Sequence, residues 1–205
     1  MSQKVVILDP GHGGLNPSTG KYVTPGKRSP EWADGSIYYE GQGNREIVTL
    51  LAKMLVCSGV KVLYTVSPDN YRDVSLVSRI RAANKHFRSN PTAYLISVHS
   101  NGVKNKKAHG AEVWTWPGQS DADPIADIWI KEQKKQFPWL SLRTDSSDGD
   151  LDKESKFAIN SVRCPSFLVE TMFHTNEKEC RVLMSSVGKY KIAKGLYNTI
   201  MKVER

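Results

Sequence analysis

No stretch of the 205 residues approaches the roughly 18 consecutive apolar residues that a membrane-crossing helix needs, so insertion into a bilayer is not expected. Cysteine is scarce as well. Cys57, Cys164 and Cys180 are odd in number, far apart and without a C-x-x-C pair. That spacing argues against a disulfide framework or a cysteine zinc knuckle and leaves buried free thiols as the expectation. Gly11, Gly13 and Gly14 cluster near the start, yet the G-x-x-x-x-G-K-[ST] arrangement of a phosphate loop is missing. Internal repeats and linkers between two cores are also missing, and residues 1–205 read as a single domain with 39% hydrophobic and 24% charged content. Acid is short relative to base: 21 Asp and Glu stand against 29 Lys and Arg, a formal charge of +8. Such a balance favours an anionic partner, whether nucleic acid, acidic lipid or a polyanionic wall, without choosing among them. Met1-Ser2-Gln3-Lys4 leads at once into a strand-like run, so no export signal is read there.

What is present is an alternation of strands and helices. Val5-Val6-Ile7-Leu8 ends at Asp9-Pro10-Gly11 and reads as a buried first strand. Ile47, Leu50, Leu51, Met54 and Leu55 share one helical face, and Gly59 stops that helix before the strand-like residues 60–65. Leu76, Ile80, Ala83 and Phe87 predict a second helix, followed by strands over 93–98, 112–116 and 165–169 and a closing amphipathic helix through Ile192, Leu196 and Ile200. Continuous apolar strands between helices predict an α/β fold, a mostly parallel twisted sheet with helices on both faces. Two stretches lack periodicity. Leu15 to Tyr39 is rich in Gly, Pro, Ser and aromatics, and Arg143 to Ser155 is rich in Asp and Ser. Asp145, Asp148, Asp150 and Asp152 do not follow a calcium-loop pattern, so the second stretch reads as a solvated acidic loop.

Ligands of open α/β sheets gather at the carboxyl ends of the strands. Three predicted strand ends carry reactive side chains: His12 after the first, His99 after Val98, and Glu170 after Val169. Two histidines and a carboxylate form the ligand set of an open catalytic zinc site. Glu170, Glu40 and Glu46 are the candidates for the third ligand.

The ordered segments Val5 to Gly14, Glu40 with Asn44, Ser97-Val98-His99-Ser100-Asn101, Gly110-Ala111-Glu112-Val113, and Leu168-Val169-Glu170 with Phe173 and Asn176 resemble the zinc-dependent N-acetylmuramoyl-L-alanine amidases. Catalytic domains of that family occur in bacterial cell-wall hydrolases and phage endolysins. The second helix, Leu76 and Arg79 through Asn84, fits too, so the likeness runs from about Val5 to about Tyr197. It implies Zn²⁺ as cofactor, His12, Glu40 and His99 as its ligands, and Glu170 as the catalytic carboxylate. Glu40 is preferred to Glu46 because it lies four residues before an Asn. Peptidoglycan, a glycan strand bearing stem peptides, is the implied substrate, with Asn101, Trp32 and Tyr39 expected to contact it. Zinc with two imidazoles and one carboxylate keeps a positive charge, polarises an amide carbonyl and draws the pKa of water from 15.7 towards about 7.

Departures from the family pattern bear on specificity. Glu40 stands 28 positions after His12, a longer interval than the family's, so residues 15–39 read as an inserted loop whose rings could form a lid or groove wall. Val66 replaces a common arginine, and Thr171 to Thr175 is more polar than the family's version. His109 and His174 lie near strand ends with their roles open; Glu112 is left outside the catalytic set, facing solvent or supporting the site; Arg79 reads as a structural ion-pair residue. A monomer made in the cytoplasm and acting on the wall after release, as in lysis by a phage, is the expected setting, with no nucleic acid and no membrane insertion. Two alternatives stand beside it: another zinc amide hydrolase, such as a peptidoglycan carboxypeptidase, and a non-catalytic wall-binding protein.

Overall fold

A computed structural model describes residues 3–203, so Met1 and Ser2 of the amino-terminal reading lie outside the described residues, as do Glu204 and Arg205. The described residues form a six-stranded sheet. Its strands are β1 (Val5–Pro10), β2 (Lys61–Tyr64), β3 (Tyr94–Asn101), β4 (Glu112–Thr115), β5 (Lys153–Glu154) and β6 (Ser166–Phe173). Their order across the sheet is β2-β1-β3-β6-β4-β5. The first four in that order are parallel, β4 runs antiparallel to β6, and β5 is parallel to β4.

Helices cover both faces, as the apolar strand runs require. Val6, Leu8, Ile96, Val98, Phe167 and Val169 belong to the larger core. There they meet α1 (Glu40–Cys57), α3 (Asp123–Gln136) and α5 (Ser186–Lys202) through Leu51, Trp129 and Leu196. The alternate residues Val5, Ile7, Leu95 and Leu168 face a smaller core closed by Ala83 of α2 (Leu76–Ser89) and Ile159 of a short 3-10 turn, Ala158–Ser161. Side chains alternate faces along a strand, and that period of two divides the cores.

This topology fixes where a ligand can sit. From β1 the chain crosses through α1 to β2 on one side, then through α2 to β3 on the other. A switch point therefore opens between the carboxyl ends of β1 and β3, with α1 and α2 on opposite faces. β6 lies next to β3, bringing a third strand end into the same crevice.

Several expectations are revised. The structure contains α3 and α4 (Glu177–Met184), which periodicity did not reveal, because α3 buries Asp123, Glu132 and Gln133 alongside its few apolar residues. The Asp-rich stretch is not wholly solvated: Asp152 is buried, accepts a hydrogen bond from Thr115 and precedes β5. Cys57 is exposed, whereas Cys164 and Cys180 are buried free thiols. Among the described residues no helix is long and apolar enough to cross a membrane.

Candidate metal centre

His12 ends a turn built around two buried arginines. Its φ is 62°, in the left-handed region that side chains other than glycine seldom adopt. The carbonyl that this turn redirects accepts from Arg45 Nη1 of α1 and Arg79 Nη2 of α2, each at 2.8 Å. Arg79 also pairs with Asp9 Oδ1 at 2.8 Å and donates to Pro10 O at 2.7 Å. Burial opposes ionisation of Asp9, but the Arg79 charge and hydrogen bonds from Ser97 and Thr65 outweigh it and hold the carboxyl below its usual value. The reading of Arg79 as an ion-pair residue agrees with this geometry.

Small residues let the elements close. A Cβ at Gly11 would stand 2.2 Å from the His99 ring, and one at Gly41 would stand 1.8 Å from Gly13 O. No real side chain fits at either place, which explains why glycines flank both His12 and Glu40.

Three side chains then converge. Glu40, the first residue of α1, is 3% exposed. Its Oε1 lies 3.2 Å from His12 Nε2 and 3.0 Å from His99 Nδ1, and the two rings meet edge to face with centroids 4.8 Å apart. Ligands held about 2.0–2.2 Å from a tetrahedral ion lie on the order of 3.3 Å from one another, so the two separations from Glu40 are of the size that a shared metal ion requires. Among the described residues this trio is the one group of His, Cys, Asp or Glu whose donor atoms all approach within 4.8 Å. Burial opposes the charge of Glu40, but hydrogen bonds from both imidazoles keep its carboxyl below the ordinary range. Glu46, the rejected candidate, instead faces Lys189 and Gln42.

Glu170 sits beside the trio, paired with His99 across β3 and β6. Its Oε2 is buried and has no hydrogen-bond partner among the described residues. Burial pushes this carboxyl up to about 8, with the nearby His99 opposing the shift. A carboxyl of that kind is suited to hold and release a proton near neutral pH.

All four residues line a cleft of about 330 Å³, together with Lys27, Leu76, Asn101, Phe157, Ile159 and His174. A wider hollow of about 780 Å³ between α1 and α5 has no histidine in its lining, so the chemistry points to the smaller cleft. Of the residues expected to contact substrate, Asn101 lines the cleft, and its amide donates to Glu112. Tyr39 stacks on Tyr22 at 4.7 Å and lines an adjoining hollow that shares Gly26 with the cleft. Trp32 is the correction: it is 9% exposed in the larger core, and its indole donates to Cys180 Sγ at 3.3 Å. A ring plugged against α4 has no face to offer a substrate.

Three residues acquire places that the sequence reading left open or passed over. His174 is buried, and its Nδ1 lies 3.0 Å from Ser100 O. The same Nδ1 lies 3.1 Å from the Ser100 hydroxyl, which can either donate to it or accept from it. Burial lowers the pKa of His174, which keeps it neutral. Glu112 does not face solvent; it is buried opposite Glu170 and bound by Asn101 and by Lys153 at 2.7 Å. Phe157 lies half open in the cleft with its edge on Trp114, 5.5 Å between centroids. No spacing rule could have marked it.

Comparison with known proteins agrees with this architecture. A family model described as N-acetylmuramoyl-L-alanine amidase matches residues 6–202. The N-acetylmuramoyl-L-alanine amidase AmiA of Salmonella typhimurium is 23% identical over 98% of this chain and 76% of its own length. Among solved structures, the amidase AmiC2 of Nostoc punctiforme superposes with a TM-score of 0.75 at 22% identity, covering 98% of this chain and 97% of that one. Ami1 of Mycobacterium abscessus also gives a TM-score of 0.75, at 23% identity and 98% coverage of both chains.

Proposed function

Because the chain belongs to the N-acetylmuramoyl-L-alanine amidase family, we propose that it is a zinc hydrolase cutting the amide between the lactyl group of N-acetylmuramic acid and the L-alanine of a peptidoglycan stem peptide. The observation that carries the reading is the meeting of His12, His99 and Glu40 around one carboxylate oxygen, with Glu170 free beside them. His12 Nε2, His99 Nδ1 and Glu40 would hold the ion. Zinc bound there supplies Lewis acidity that polarises a carbonyl and makes water more acidic.

The remaining work falls to the protein. Glu170 accepts the proton of the attacking water and passes it to the departing L-alanine amine, a role worth typically 10²–10⁴-fold in rate. Its raised pKa follows from burial and suits the second half of that transfer. Glu112 holds the Asn101 amide at the cleft edge, fixing a polar group that can orient the substrate. The setting we propose is wall lysis by a phage or prophage, for which the +8 charge favours approach to anionic wall polymers.

Digestion of purified peptidoglycan by the zinc-loaded protein, followed by mass analysis, tests the reaction. Intact stem peptides bearing a free L-alanine amine are expected; single terminal amino acids would identify a carboxypeptidase, and binding without loss of turbidity a wall-binding protein. Glu170→Ala should retain zinc and lose cleavage by at least 100-fold, within the range of general acid–base catalysis. His99→Ala should lose both. Full activity in metal-stripped protein would refute the zinc assignment.

A further inference from the structure

The cleft has two unlike sides. Leu76, Phe157, Ile159 and Leu168 give it an apolar lining from the face that α2 covers. From the opposite face, beside the start of α1, comes Lys27, the one lysine or arginine among the described residues that line it.

Lys27 is held by its backbone and left free at its side chain. The amide of Glu40 donates to Lys27 O at 3.0 Å, so the loop is pinned to the very residue proposed to bind metal. Gly26 makes the preceding turn with φ 79°, and Arg28 pairs with Tyr39 in an antiparallel bridge just beyond. Among the described residues the Lys27 ammonium has no hydrogen bond and no carboxylate within 4.0 Å, although Glu40 and Glu170 line the same cleft. Lys153, by contrast, is spent on Glu112. An ammonium fixed at its root, exposed to solvent and lacking a hydrogen-bonding partner at its tip can receive an anion at the rim of the cleft, and a charge-assisted bond is roughly twice as strong as a neutral one.

We propose that Lys27 binds a substrate carboxylate on the peptide side of the scissile amide, within one or two residues of it, and so selects acidic stem peptides over amidated ones. The inference rests on the amidase reading, which supplies the direction: the acyl side of that bond is an ether-linked neutral sugar, and only the peptide side carries carboxylates. A lysine, unlike an arginine fork, accepts a single carboxylate oxygen from a range of angles, which suits a flexible peptide.

Binding, measured apart from cleavage, tests it. Two synthetic muropeptides that differ only in whether the second peptide residue carries a carboxylate or a carboxamide are titrated calorimetrically into zinc-loaded Glu170→Gln protein, with and without Lys27→Ala. With Lys27 present, the carboxylate form should bind at least tenfold more tightly; with Lys27→Ala the two Kd values should converge on that of the carboxamide, and Lys27→Arg should restore most of the gap. Equal Kd values with Lys27 present, or an equal loss for both ligands in Lys27→Ala, would overturn the proposal. The amidase reading fails on a separate result, the absence of a free L-alanine amine after digestion by the unmodified enzyme.

Discussion

His12 keeps a left-handed backbone because two guanidinium groups take its carbonyl, and the two contribute differently. Arg79 also neutralises buried Asp9, whereas Arg45 binds only carbonyls, those of His12, Gly41, Asn70 and Arg72. Arg79→Ala strands a buried carboxylate and should cost about 3–5 kcal/mol, the penalty of breaking a buried pair from one side. Arg45→Ala leaves no unpaired charge and should cost less, while still loosening the His12 turn. Urea denaturation measures the first difference, and competition with a chelator measures a fall in zinc affinity for both variants. Equal stability losses would show that the Asp9 pair does not set the ranking. The pH dependence follows with a definite sign. Since the folded-state pKa of Asp9 is held below its ordinary 3.8, the pair's full contribution is present above about pH 4 and fades as pH falls through the depressed value. Arg79→Ala should therefore flatten the acid limb of a stability profile.

The elements that build the site were those most legible in sequence. β1, β3 and β6 begin as continuous apolar runs because both faces of a parallel sheet are covered; His12 follows β1 by two residues, whereas His99 and Glu170, expected just past their strands, lie within β3 and β6, which run on to Asn101 and Phe173. α1 shows its buried stripe at Ile47, Leu51 and Leu55. α3 did not announce itself because polar groups occupy much of its buried side, and α4 has only eight residues in which to show a period. The loop before α1 misled for a different reason: aromatic content in an aperiodic stretch does not separate a ring that meets substrate from one that plugs a core. Trp32 does the latter, and truncating it tests the distinction. Trp32→Ala should cost about 3–5 kcal/mol, as large aromatic deletions in cores do, with the loss seen in thermal or urea unfolding and the Kd for a muropeptide little changed. A normal unfolding midpoint with weakened substrate binding would return Trp32 to the groove wall.

At the scale of the whole molecule, the three groups proposed to grip zinc come from the end of β1, the start of α1 and the end of β3, at positions 12, 40 and 99. An unfolded chain cannot hold them together, so binding energy for the ion is folding energy for the domain. An ion that binds the folded state alone, at a thousand times its Kd, adds about 4.1 kcal/mol. For a chain of this length each kcal/mol moves the melting point by about 2–4 °C, so zinc should raise Tm by roughly 8–16 °C at that excess. Glu170→Ala should keep the shift, because its carboxyl lies outside the gripping set, and His99→Ala and Glu40→Ala should abolish it. Scanning calorimetry of the four proteins with and without zinc separates the possibilities. An undiminished shift in His99→Ala would place the ion elsewhere, and a shift lost in Glu170→Ala would make that carboxylate a ligand in place of the proton carrier.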